Sequence, residues 1–249
     1  MFSPEERDRL REAIIAAARA DGRITGAAIT GSAALDLKNQ DRWSDVDLFF
    51  GVGEADQITA VMADMTELMY REHGALHHFD VVAGPATYRV YLMSSTLQVD
   101  LAFTPASSFG AVTPTFQVLF GEPVERERYA PPPAMSQLDY AWLYAIHTRS
   151  SIARGKPWQA EYMVHTARDH VLAAACVRHG LNWREGRGMD GLPEEEKKHL
   201  EGALASSLEP AELRRALGEV VDCLISELRL ADPALAGRLE PALREIGGG

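Results

Sequence analysis

Apolar positions along the first half of the chain change period several times, and each change marks an element. Ser3-Pro4-Glu5-Glu6 has the form of a capping box with proline at the first helical position, and Leu10, Ile14 and Ala17 follow at helical spacing up to Asp21-Gly22. Residues 24–30 are an apolar run rich in β-branched side chains, broken only by Gly26, and predict a buried strand that ends at Gly31-Ser32. A small-residue segment, Ala33-Ala34-Leu35, leads into a polar loop over 36–44. Residues 45–52, Asp-Val-Asp-Leu-Phe-Phe-Gly-Val, predict a second strand. Over 54–73, Ile58, Val61, Met62, Met65 and Leu68 recur at helical spacing, and Gly74 closes that helix. Three short strands are expected over 78–82, 88–93 and 97–103, the first pair separated by Gly84-Pro85 and the second by a turn at Ser94-Ser95.

Pro131-Pro132-Pro133 lacks backbone donors and marks a boundary. Beyond it the pattern is helical: a helix capped by Ser136 and running to about Arg154, then helices over 158–179, 192–208, 210–230 and 233–246, with breaks at Gly155-Lys156-Pro157 and Gly180. The expected fold class is therefore α/β plus α, a small mixed-sheet domain over 1–130 followed by a helical bundle domain over 131–249, with the active site in the cleft between them.

Composition narrows the function without naming it. The chain of 249 residues is 46% hydrophobic and 24% charged, which is ordinary for a globular protein. Its net charge of −11, split as −8 up to Ala130 and −3 after it, argues against nucleic acid as a partner, since phosphate backbones are held by clustered Lys and Arg. Cys176 and Cys223 are too few for a disulfide framework or a structural zinc site and read as small buried hydrophobes. Neither a secretory signal nor an 18-residue apolar run is visible, so no membrane association and a cytoplasmic location are expected.

The candidate chemistry lies in the acids. Asp45 and Asp47 are two apart on a predicted strand, which puts both carboxylates on one face and Val46 and Leu48 on the core face. Two like charges held together call for a proton or a cation, and hard oxygen donors suit Mg²⁺. Asp100, between Val99 and Leu101, joins them if its strand pairs beside theirs. Asp80, in Phe79-Asp80-Val81-Val82, looks locally similar and competes for the same role. Upstream, Gly31-Ser32 ends a strand, where a glycine lets backbone approach a phosphate closely.

Apolar strand, Gly31-Ser32, twelve intervening residues, Asp45-Val46-Asp47 in a strand and a separate strand with Asp100 together resemble the nucleotidyltransferase superfamily typified by DNA polymerase β, over roughly residues 20 to 105. The resemblance implies Asp45 and Asp47 as ligands of two Mg²⁺ ions, Asp100 as the catalytic third acid, a metal ligand or the base for the attacking hydroxyl, and Gly31 and Ser32 as nucleotide-binding residues. A helical domain after a small α/β domain, with Arg154-Gly155-Lys156-Pro157-Trp158-Gln159-Ala160-Glu161 continuing to Arg168-Asp169, also looks like the bacterial nucleotidyltransferases that adenylylate aminoglycosides or lincosamides. The implied reaction moves an NMP, expected to be AMP from ATP, to a hydroxyl of a small-molecule acceptor and releases pyrophosphate.

Glu161, His165 and Arg168 share one face of a predicted helix. Glu161 and Arg168 are candidate substrate-binding residues as much as members of a solvated face, and His165 reads as the latter. The sequence leaves the proton acceptor open between Asp100 and Glu161, and leaves the acceptor molecule, the nucleobase and the oligomeric state unassigned. Two other readings stand beside this one: nucleotidylation of a protein side chain, and a nucleotide-binding regulatory module without turnover.

Overall fold

The computed structural model describes residues 2–31, 34 and 41–248, and these divide into two compact units, Met1–Tyr129 and Ala130–Gly249. The first unit is built from helix α1 (Pro4–Ala20), strands β1 (Ile24–Thr30) and β2 (Val46–Val52), helix α2 (Ile58–Glu72), and strands β3 (Ala75–Ala83), β4 (Ala86–Met93), β5 (Gln98–Pro105) and β6 (Phe116–Phe120). Local chemistry starts α1 as its sequence predicts: the Ser3 side chain accepts from the Glu6 backbone N–H, and the Glu6 carboxylate accepts from the Ser3 backbone N–H.

The strands form one mixed sheet in the order β3-β4-β5-β2-β1-β6, in which β2 and β5 run parallel and every other pair is antiparallel. One face carries Ile29, Val46, Leu48, Phe50, Leu101 and Phe103, packed with Ile14 of α1 and Val61, Met65 and Met69 of α2. The other face has a small cluster of Ala28, Phe49, Ala86, Ala102 and Phe109. There the Phe109 ring lies directly over Gly26 and Gly51, where any Cβ would collide with it.

The second unit is helical: α3 (Ala134–Ala153), α4 (Pro157–Arg178), α5 (Glu194–Glu201), α6 (Pro210–Ala231) and α7 (Pro233–Gly247). Its core joins Ala141, Ala145, Ala160, Val164 and Ala167 to Leu213, Leu217, Val220, Leu224 and Leu243, the alanines letting α3 and α4 approach closely. Cys176 and Cys223 are free thiols, buried and half-buried, and burial with nearby acids pushes the Cys223 thiol up to about 11. No helix among the described residues is long and apolar enough to cross a membrane.

Four local expectations are corrected. Strand β6 was not expected; its burial alternates poorly, and it is held by pairing with β1. The helix assigned to a Ser136 cap begins at Ala134 after Pro133, which places Ser136 inside its first turn. The helix expected over 192–208 covers only Glu194–Glu201, because the Arg215 guanidinium takes the Gly202 and Leu204 carbonyls and draws the chain away from the helical course. Asp45 lies one residue before β2 rather than within it.

Candidate metal centre

Register decides which carboxylates meet. In the parallel pair, Asp47 of β2 stands opposite Asp100 of β5, with Val46 opposite Val99 and Leu48 opposite Leu101. Val46, Leu48, Val99 and Leu101 all belong to the helix-covered core, so Asp47 and Asp100 stand on the opposite face. Asp45 precedes Asp47 by two residues, and each of the three half-buried carboxylates offers an oxygen within 4.8 Å of the others.

Asp100 is the carboxylate on which the placement acts. Burial pushes the Asp100 carboxyl above its ordinary value, the Gln98 amide opposes that, and the Asp45 charge adds to it. Gln98 sits two residues before Asp100 on the same face, and its Nε2 donates to both carboxylate oxygens at 3.1 Å. Tyr88 shares this face, and its phenol is pushed up by burial, by Tyr129 and by the Asp47 charge. Three hard oxygen donors in this geometry fit a divalent cation of the Mg²⁺ type.

Gly31 closes the arrangement. It follows β1 with φ +66°, and a Cβ there would fall on the Asp47 carboxylate, so both backbone conformation and space require glycine. Ser32 lies outside the described residues.

Asp80 takes no part. It pairs with Arg89 across β3 and β4, and Arg89 stands opposite Leu101, so both point to the helix-covered face. There Arg89 Nε and NH2 donate to the two Asp80 oxygens at 2.7 Å, and NH1 donates to Thr66 Oγ1 of α2 at 2.8 Å.

Three contributors are not marked by the sequence motifs: Gln98, Arg7 and Asp41. Arg7, only 2% exposed, donates from NH1 to the carbonyls of Asp41 at 2.7 Å and Ser44 at 3.4 Å, tying α1 to the loop that delivers Asp45. Asp41 Oδ1 accepts from the Trp43 backbone N–H and the Ser44 hydroxyl in the same loop. A cation seven residues before the buried Ile14, on the apolar stripe of α1, was the available signal. Beside Asp45 and Gln98 opens a pocket of about 260 Å³, also lined by Arg42 and Trp43, whose guanidinium and ring stack at 4.6 Å.

In the second unit Glu161 is half-buried on α4. Arg168 is 9% exposed and is held within the same helix, donating from NH2 to Asp169 at 2.9 Å and to His165 Nδ1 at 2.8 Å. His165 Nε2 meets the other Asp169 oxygen at 3.1 Å.

No family model and no curated protein matches the chain. Among solved structures it is similar to a nucleotidyltransferase-like protein from Exiguobacterium sibiricum 255-15, 16% identical over 91% of this chain and 77% of that one, with a TM-score of 0.37. It is also similar to an aminoglycoside 6-adenyltransferase from Bacillus subtilis, 12% identical over 97% of this chain and 98% of that one, with a TM-score of 0.41.

Proposed function

We propose that the chain is a metal-dependent nucleotidyltransferase that moves an NMP, with ATP as the first donor to test, to a hydroxyl of a small-molecule acceptor and releases pyrophosphate. The observation that carries this reading is the set of three carboxylates on one sheet face, Asp47 opposite Asp100 with Asp45 beside them, closed by the glycine turn at Gly31.

Asp45, Asp47 and Asp100 would hold Mg²⁺, two ions in the full scheme. Bound there, Mg²⁺ supplies charge neutralisation for the triphosphate and acidifies an attacking hydroxyl. Gly31 admits a phosphate beside the carboxylates, with Ser32 as a second contact. Asp100 takes the hydroxyl proton as the new O–P bond forms and the bond to pyrophosphate breaks. Gln98 holds both Asp100 oxygens and so orients the carboxylate for that transfer.

On this reading Glu161 and Arg168 of the helical unit are the candidate acceptor contacts. The charge of −8 on the first unit favours a polycationic acceptor, which makes aminoglycosides the first class to test and lincosamides the second. The test is incubation with Mg²⁺, each NTP and a panel of hydroxylated antibiotics, reading pyrophosphate release and product mass. Mg²⁺-dependent mass gain on one acceptor supports the proposal. A modified protein with no modified small molecule points to side-chain nucleotidylation. Tight NTP binding without pyrophosphate points to a regulatory module.

A further inference from the structure

The two edges of the sheet are guarded differently. At one end β6 is five residues long, its register with β1 is broken between Ala27 and Ala28, and Arg19 of α1 donates to the Leu119 carbonyl and lies over the Phe120 ring. At the other end β3 is nine residues long, Ala-Leu-His-His-Phe-Asp-Val-Val-Ala, and among the described residues no strand lies on its outer side. It carries no proline or lysine, two of the devices that usually blunt an edge, and its one inward charge, Asp80, is matched by Arg89. Its only irregularity lies at Ala75/His77, so residues 77–83 keep one register with β4. Phe79 is 55% exposed and Val82 73%, and Leu76 and Val81 are exposed with them.

We propose that β3 is a self-recognition edge, through which two copies of this chain pair antiparallel about a twofold axis at Phe79 and join their six-stranded sheets. The segment is complementary to itself in that register. Phe79 meets Phe79, His77 meets Val81, and His78 comes opposite Asp80, whose carboxylate stays on Arg89 of its own copy; beyond the irregular step, Leu76 and Ala75 come opposite Val82 and Ala83. Shifting the centre to Asp80 loses the Phe79 pair and sets two carboxylates, each already held by an Arg89, against each other, and shifting it to His78 leaves Val82 and Ala83 unpaired. Aromatic and apolar cross-strand pairs stabilise a sheet, and like charges directly opposite oppose it. An isologous pairing of this kind closes after two copies and cannot extend into a filament.

The test reads mass and register separately, on the full chain. By light scattering after size exclusion, the protein should run at twice 27.3 kDa. Phe79→Lys sets two ammonium groups face to face at an exposed position and should return it to monomer with an unchanged circular dichroism spectrum. Phe79→Cys should form a disulfide-linked dimer on mild oxidation, because residues directly opposite have Cβ atoms roughly 4.5–5.5 Å apart. Val81→Cys should not, since its symmetry mate is displaced by four residues, roughly 13 Å along the strand. A wild-type chain that stays monomeric at its highest workable concentration, a dimer that survives Phe79→Lys, or equal crosslinking of the two cysteine variants would overturn the proposal. None of these outcomes depends on metal or nucleotide.

Discussion

Asp80 of β3 and Asp100 of β5 sit in nearly interchangeable local sequences, each an acid among apolar strand residues, yet they face opposite sides of the same sheet. Asp80 turns toward α2, where Arg89 holds both its oxygens and keeps its carboxyl below the usual carboxylate range. Asp100 turns the other way and meets Asp45 and Asp47, where burial and like charge raise it. The first acid is matched by a cation of the chain itself, and its role is to join β3, β4 and α2. The second sits in a cluster whose geometry suits a cation from outside. Register across the sheet separates the two.

The sharpest way to break that comparison is to neutralise each acid in turn. Asp45→Asn and Asp47→Asn should abolish Mg²⁺-dependent nucleotide binding by calorimetry. Asp100→Asn should cut turnover by roughly 10²-fold or more while nucleotide binding survives in part. Asp80→Asn should leave turnover unchanged, and a large loss there would return the catalytic role to Asp80.

Next in size is Gly31→Ala. Its Cβ is forced onto the Asp47 carboxylate from a left-handed backbone, so nucleotide and metal affinity should fall about tenfold or more, a cost of the order of 1–3 kcal/mol for such a strained position. Measuring Mn²⁺ affinity alone separates displacement of Asp47 from blockage of the triphosphate.

Arg7→Met leaves the Asp41 and Ser44 carbonyls without their buried donor and should cost about 2 kcal/mol in denaturant unfolding. Amide exchange over 41–47 should quicken in this variant and stay unchanged over β3 and β4, since only the carboxylate face depends on that loop.

The smallest effect belongs to Asp80. Because its side chain is over a third exposed, losing the Arg89 pair should cost only about 1 kcal/mol. Its carboxyl is lowered in the folded chain, so this stability is fully present above the unfolded value of about 4 and is lost as pH falls below it through the folded value. Acid unfolding of Asp80→Asn should therefore lack that component, and a parallel pH profile in wild type and variant would show that the pair contributes nothing.

How much was legible follows from the range over which each feature is specified. The capping box at Ser3–Glu6, the strand and glycine at 24–31, the parity of Asp45 and Asp47, and the helices over 58–72 and 210–231 are set by neighbours a few residues apart, so the sequence alone determined them. Pairing partners are not local. That β5 lies beside β2, in parallel and with Asp100 opposite Asp47, that Asp80 meets Arg89 instead, that β6 exists at all, and that Arg7 reaches a loop 34 residues away were decided only by tertiary structure. Period-two alternation tells which residues of a strand share a face, but a strand's neighbours and the face that receives the helices are chosen by burial summed over the whole sheet.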